Sequence, residues 1–311
     1  MHSRIIEIAQ KLNDQFLIKS QSLGEISIFL CGGSRKEEEK FRRKVGEKIS
    51  TKLSNYKYSV YYPEDMFTEL ILGHQKQDLL TLENLLADSA SAVVILLKSP
   101  GTFTELGAFT NYKKLSNKLI VVIDPKFSRE KSFINLGPVR FLRTKTRSEV
   151  LFMPMDNTNL SKLVERITET ARDVAKHSLP VRNLTNPIFA YKFYLALIYI
   201  FEPISKNAIL AISRLLAINE EKNITTIDTV AKIVINSLIH KRRVSLSSEK
   251  LSTTSKGAND LIYDSNTKKR SHLILEFLTE LRLEALNLIH RRNYRRIWGA
   301  WRALPPHHFG C

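Results

Sequence analysis

The run Ser99-Pro100-Gly101-Thr102-Phe103-Thr104-Glu105-Leu106-Gly107-Ala108-Phe109 holds the residue types best suited to covalent chemistry. An apolar, strand-like run from Ala92 to Leu97 ends just before it, and a helix opens after Ser99-Pro100-Gly101. Glu105 is therefore expected in the first turn of a helix that begins at a strand end. A helix N-terminus favours the ionised carboxylate, which is the form able to act as a nucleophile. Gly107 and Ala108 permit close packing or the close approach of a ligand. The same residues also read as a Thr102-x-x-Glu105 capping box, which needs no catalysis. Spacing alone leaves both readings open.

Positioning that carboxylate requires a scaffold, and the preceding residues supply one. Strand patterns cover Ile26–Leu30, Tyr58–Tyr62, Ala92–Leu97 and Leu119–Ile123. Helical patterns fall between them, over Arg35–Leu53, Leu79–Ala90 and the segment after Gly101, and a further helix spans Leu160–His177. Alternation with short links predicts an α/β fold with a doubly wound parallel sheet. Such sheets bind ligands at the carboxyl ends of their strands. Those ends read Cys31-Gly32-Gly33, Pro63-Glu64-Asp65, Ser99-Pro100-Gly101-Thr102 and Asp124-Pro125. Candidate substrate contacts are Cys31, Gly32, Gly33, Ser99, Gly101 and Thr104, with backbone N–H groups at Gly32, Gly33 and Gly101 to Thr104 facing phosphate or ribose oxygens. Glu64, Asp65 and Glu83 are candidates for ribose contact or proton handling. Glu83 also reads as a solvated position on an amphipathic helix, and Asp65 as the start of the next one. Asn135, in a Gly-Pro loop, is a candidate to reach the pocket from its own or a neighbouring subunit.

Beyond Ser178–Pro187, which reads as a linker, the pattern changes. Helical patterns cover Ile188–Phe201, Ser205–Ile218 and Ile227–His240, followed by Lys241-Arg242-Arg243, an alternating stretch Val244–Leu246, and Lys250 to Thr254. This order predicts an α-rich winged helix-turn-helix domain. A long helix over Lys268–Trp298 follows, with Arg291, Arg292, Arg295 and Arg296 among Tyr294, Trp298 and Trp301. The expected division is a catalytic domain over 1–178 and a nucleic-acid or partner-binding domain over 188–311. Charge agrees: of a net +17, residues 1–180 carry +7 and the shorter 181–311 segment carries +10. Lys241, Arg242, Arg243 and the four later arginines are the candidate nucleic-acid contacts. Two cysteines give no disulfide framework or metal spacing, and the longest apolar run, Phe193–Phe201, is too short to span a bilayer. A soluble, cytoplasmic protein without membrane contact is expected.

Five ordered strings carry a resemblance: Ile28–Gly33, Tyr62–Phe67, Leu82–Ala87, Ser99–Phe109 and Ser132–Arg140. Over about residues 25–145 the chain resembles the nucleoside deoxyribosyltransferase-like effectors encoded beside retron reverse transcriptases in bacteria. The resemblance implies a flavodoxin-like sheet and an N-glycosidase, with Glu105 inheriting attack on the sugar C1′. Where true transferases carry an acid that handles the base, this chain has Ser99-Pro100-Gly101-Thr102. Hydrolysis of NAD, whose nicotinamide is already cationic, suits that departure better than base exchange. The resemblance further implies antiphage defence, a toxin restrained by the retron's reverse transcriptase and its multicopy single-stranded DNA, a homo-oligomer or higher assembly, and no cofactor, with NAD as substrate. Two other readings stand beside it: a DNA-binding regulator with a nucleotide-sensing, non-catalytic α/β domain, and a true nucleoside deoxyribosyltransferase.

Overall fold

The computed structural model describes residues 2–16, 25–54, 56–65, 85, 87–177, 183–219, 224–262 and 268–302. The chain divides into two compact units. One comprises Gln21–Tyr191 with Thr229–Ser237; the other comprises Met1–Ser20, Lys192–Asp228 and Leu238–Cys311. Helix α1 (His2–Lys11), predicted only as an amphipathic start, thus groups with the later part of the chain.

The first unit is built on parallel strands β1 (Glu25–Cys31), β2 (Lys57–Tyr61), β3 (Ala92–Leu96), β4 (Leu119–Ile123) and β5 (Glu149–Phe152). Their order is β2-β1-β3-β4-β5, with every neighbouring pair parallel. Strands β3 and β4 are buried at every position because both faces are covered. One face packs Ile28, Leu30, Val94 and Val122 against helices α2 (Lys36–Ser50) and α5 (Leu160–Ala175). The other packs Phe29, Val93, Ile95 and Val121 against α3 (Pro100–Asn111) and α4 (Arg140–Lys145). In α3 the buried residues are Thr102, Leu106 and Phe109, a four-three spacing that keeps one stripe inward. Strand β5 lay outside the sequence reading: it has four residues and only Leu151 fully buried, so no periodicity develops. Most of the predicted Leu79–Ala90 helix lies outside the described residues, although Ala87 to Ser89 are helical.

The second unit contains α1, α7 (Lys206–Asn219), α9 (Ser255–Ile262), α10 (Lys268–Arg302), most of α6 (Pro187–Phe201) and the two ends of α8 (Ile224–His240), whose middle, Thr229–Ser237, groups with the α/β unit. Strands β6 (Ile204–Ser205), β7 (Val244–Ser247) and β8 (Lys250–Thr253) form an antiparallel sheet in the order β6-β8-β7. The β7–β8 turn is Ser248-Glu249, both at positive φ, 47° and 62°. Two such residues match the twist of an antiparallel hairpin. Strand β6 and helix α9 were not foreseen, being too short for a periodic signal. Buried Tyr194 and Phe193 meet edge to face with centroids 5.4 Å apart. Gly257 is fixed by close approach, since a Cβ there would stand 2.1 Å from the Arg243 carbonyl oxygen.

In the α/β unit, Lys118 is 3% exposed at the start of β4. Its Nζ donates to the carbonyls of Asp88 (2.7 Å) and Ala90 (3.0 Å), and the Asp88 carboxylate is 3.8 Å away. Burial outweighs that carboxylate and lowers its pKa from 10.5 to about 8. The folded state therefore binds this proton less tightly than the unfolded chain, so stability rises with pH between about 8 and 10.5. The gain over that window is up to about 3 kcal/mol. Urea denaturation at pH 8 and pH 10 should show it as a rise that Lys118→Met lacks; equal pH dependence in the two proteins would contradict this assignment.

Candidate active site

Strand order reverses between β1 and β3: from β1 the chain moves outward to β2, then returns to the other side of β1 and on to β4 and β5. At such a switch point, adjacent loops leave a crevice at the carboxyl edge of the sheet. The loops that leave β1 and β3 there are Cys31-Gly32-Gly33 and Leu97 to Pro100.

The start of α3 is fixed by Thr102. Its Oγ1 accepts from the N–H groups of Ser99 (3.1 Å) and Lys98 (3.2 Å) and donates to the Ser99 carbonyl (2.7 Å). Ser99 is the N-cap and Thr102 the third helical residue of a capping box. This corrects the sequence reading in two respects. The box is Ser99–Thr102, one helical turn earlier than Thr102–Glu105, and Glu105 stands in the second turn of the helix. The Thr-x-x-Glu spacing is therefore no explanation for a glutamate at 105. Glu105 is half-buried, with Oε2 shielded from solvent. Gly101 and Gly107 are exposed, and a Cβ at either would meet no described atom within 4 Å. Gly107 thus makes no close packing within the described fold. Thr104 is exposed and Ser99 buried. Thr104 Oγ1 donates to the Pro100 carbonyl at 3.2 Å.

At β1, Cys31 is 1% exposed and packs in the apolar layer beneath α3 with Leu106 and Phe109. Gly32 and Gly33 turn against α2. A Cβ at Gly32 would lie 2.7 Å from Arg42 Cδ, and one at Gly33 would lie 1.8 Å from Glu38 Oε2.

Arg42 is the functional neighbour that sequence reasoning missed. It is 4% exposed and forms a two-pronged pair with Glu64, at 2.7 Å and 3.1 Å. Arg43 continues the cluster, meeting Glu64 at 2.7 Å and Asp65 at 2.7 Å and 3.0 Å. Its guanidinium lies 4.1 Å over the Tyr62 ring. Hydrogen bonding to Asp65 holds the Arg43 proton more tightly than usual, and burial pushes the Tyr62 phenol up to about 12. Gly46 completes the packing: a Cβ there would stand 1.8 Å from the Tyr62 hydroxyl. Glu64 and Asp65 are thus salt-bridged to α2 beside the glycine loop. No spacing announced this, because Arg42-Arg43 sits in a helix already dense in charge.

Glu83 lies outside the described residues. Asn135 gives both amide hydrogens to its own loop, to the carbonyls of Phe127 and Glu130 at 2.7 Å each. Arg242 is exposed, with φ at 54°, where α8 ends. Lys241 is half-buried, and so is Arg243, whose guanidinium pairs with Asp260 and donates to the Lys241 carbonyl. Arg291, Arg292, Arg295 and Arg296 fall on α10, but their side chains lie outside the described residues. A cleft lined by Lys44, Glu47, Lys48, Thr51, Asn157 and Leu160 opens beside α2 and α5, on the opposite side of the sheet from α3. No helix among the described residues is long and apolar enough to cross a membrane.

Comparison with known proteins bears on most of the chain. The family described as "STM3845 retron effector protein" matches residues 38–246. An Escherichia coli protein named "Retron Ec86 putative ribosyltransferase/DNA-binding protein" is 30% identical over 290 residues, covering 88% of this chain and 89% of that protein. Its Ec73 counterpart, also from Escherichia coli, is 34% identical over 144 residues, 45% of each chain.

Removing the Glu64 charge leaves a buried guanidinium uncompensated, which typically costs about 3–5 kcal/mol when one partner of a buried pair is lost. Because Glu64 is 33% exposed, Glu64→Gln is expected to cost less than that, about 2–3 kcal/mol. Arg42→Met combined with Glu64→Gln should recover at least about 1 kcal/mol relative to the sum of the single changes. Additive losses in a urea-denaturation cycle would show that the pair does not hold this edge together.

Proposed function

The chain belongs to the retron effector family, and on that premise we propose that its α/β unit is an N-glycosidase with Glu105 as the reactive carboxylate. The single observation that carries this reading is the position of Glu105: half-buried, in the second turn of the helix that leaves β3 at the switch point of the sheet. The ribosyltransferase wording in the names of both relatives supports chemistry at a sugar anomeric carbon.

The substrate is NAD or a related nucleotide. A Glu105 oxygen attacks C1′ of the ribose, and the C1′–N bond breaks with its electron pair going to the nicotinamide ring. The ring leaves neutral because it began as a cation, so no acid is needed to protonate it. Water then cleaves the glycosyl ester, giving ADP-ribose and a released proton. The carboxylate serves equally if it only stabilises an oxocarbenium-like transition state. Backbone N–H groups at Gly32 and Gly101 supply donors for phosphate or ribose oxygens. The chain's own groups suffice without a cofactor.

The second unit is the winged-helix part. Helices α6, α7 and α8 precede the β7–β8 hairpin, and β6, between α6 and α7, pairs with the inner hairpin strand. The DNA-binding wording in the relatives' names supports a nucleic-acid role. We assign the retron reverse transcriptase and its multicopy single-stranded DNA as the partners that restrain the enzyme, in a cytoplasmic assembly that includes further copies of this chain.

Glu105→Gln should leave the thermal midpoint unchanged and lower nicotinamide release from NAD at least about a thousandfold, read by chromatography. Unchanged turnover would end the assignment. Base exchange between deoxynucleosides in the same assay would point to a transferase instead.

A further inference from the structure

The positive charge of the α/β unit is concentrated in one segment. Residues 126–147 contain seven Lys or Arg (Lys126, Arg129, Lys131, Arg140, Arg143, Lys145 and Arg147) against one acid, Glu130. That net +6 is nearly the whole +7 excess of residues 1–180. All seven cations are exposed. Lys126 pairs with Asp124 at 3.5 Å; among the described residues, none of the other six has a carboxylate within 4.0 Å.

Aromatic rings stand among these cations. Phe133 is 83% exposed, Phe141 43% and Phe127 37%. Burying a Phe contributes roughly 1.5–3 kcal/mol, so leaving these in water needs a reason. The segment is nonetheless well ordered by its own contacts. It links β4 to β5, and Val139 and Leu142 anchor it in the core layer beside α3. Asn135 closes the loop over residues 127–135 with two hydrogen bonds of 2.7 Å. The Phe133 ring rests against Gly137, whose Cβ position lies 3.5 Å from two ring carbons. An exposed ring is thereby held in place within a segment rich in cations.

We propose that residues 126–147 form a binding surface for single-stranded nucleic acid, on the α/β unit rather than on the winged-helix-like part. The cations take the phosphates, while Phe133 and Phe141 stack on unpaired bases. An acidic protein would satisfy the charge but give no use for rings separated by cations, and a duplex keeps its base faces hidden. The surface does not depend on the chemistry proposed for Glu105.

Fluorescence anisotropy of the full chain with labelled oligo-dT, oligo-U and a duplex of equal length tests it. Replacing Arg129, Lys131, Arg140 and Arg143 with Gln should lower oligo-dT affinity at least tenfold and flatten its salt dependence. Phe133→Ala with Phe141→Ala, both at exposed positions, should lower affinity about fivefold or more while the salt slope stays as it was. The same aromatic change should leave duplex binding unaffected. Oligo-U binding as tight as oligo-dT supports a sequence- and sugar-tolerant surface; binding of one sugar type alone supports the same surface with a 2′-position preference. Wild-type failure to bind either strand, unaltered affinity in the Gln variant, or aromatic changes without effect would each overturn the proposal. Glu105→Gln serves as the separating control, because it should bind oligo-dT as wild type does whether or not NAD is cleaved.

Discussion

Where α3 begins decides where Glu105 stands, and Thr102 decides where α3 begins. Its buried hydroxyl ties together the backbone of Lys98 and Ser99, so the helix starts at Pro100 with no slack after β3. A hydroxyl in this position satisfies N–H groups that the first turn otherwise leaves without partners. Leu106 and Phe109 then lock the rotation of the helix by burying one stripe against the sheet. With start and rotation both set, residue 105 falls half-buried in the second turn of the helix that leaves β3 at the switch point of the sheet. Everything proposed for the enzyme follows from that placement.

A second constraint acts across the edge of the sheet. Arg42 is buried against the glycine loop after β1, and a buried guanidinium requires a partner. Glu64 supplies it, and Arg43 with Asp65 extends the contact to Tyr62. The charge cluster links α2 to the residues following β2, and the Arg42 side chain lies close against Gly32. Glu64 and Asp65 therefore fix the end of β2 against α2. The polar side chains gathered at these strand ends play different parts, with Glu105 on one helix and the ion-paired wall on another.

Much of this was legible in the sequence. The strands β1 to β4 show as apolar runs because a doubly covered parallel sheet demands them, and the helix after β3 shows too, although it reads as opening after Gly101 and starts at Pro100. The family resemblance, carried by five short strings, agrees with the match over residues 38–246. What escaped did so for physical reasons. Strand β5 and strand β6 are too short to show a period, and β6 is defined only by its pairing with β8. The capping box was misplaced by one turn because Ser99 and Thr102 compete with Thr102 and Glu105 on spacing alone. Arg42 could not be told from its charged neighbours, since its burial depends on a glycine loop ten residues away. Asn135, read as a ligand contact, closes its own loop, a bond that only three-dimensional placement reveals.

The two units are built differently, one on a doubly covered parallel sheet and one on helices with a short antiparallel sheet. The central claim concerns the crevice: the side chain at 105 faces an anomeric carbon. A crystal structure of the Glu105→Gln protein soaked with NAD tests this most directly. Ribose C1′ of the nicotinamide half is expected within about 3.5 Å of the substituted side chain, with the phosphates near Gly32 and Gly101. NAD bound elsewhere, or a side chain at 105 directed away from the sugar, would contradict it.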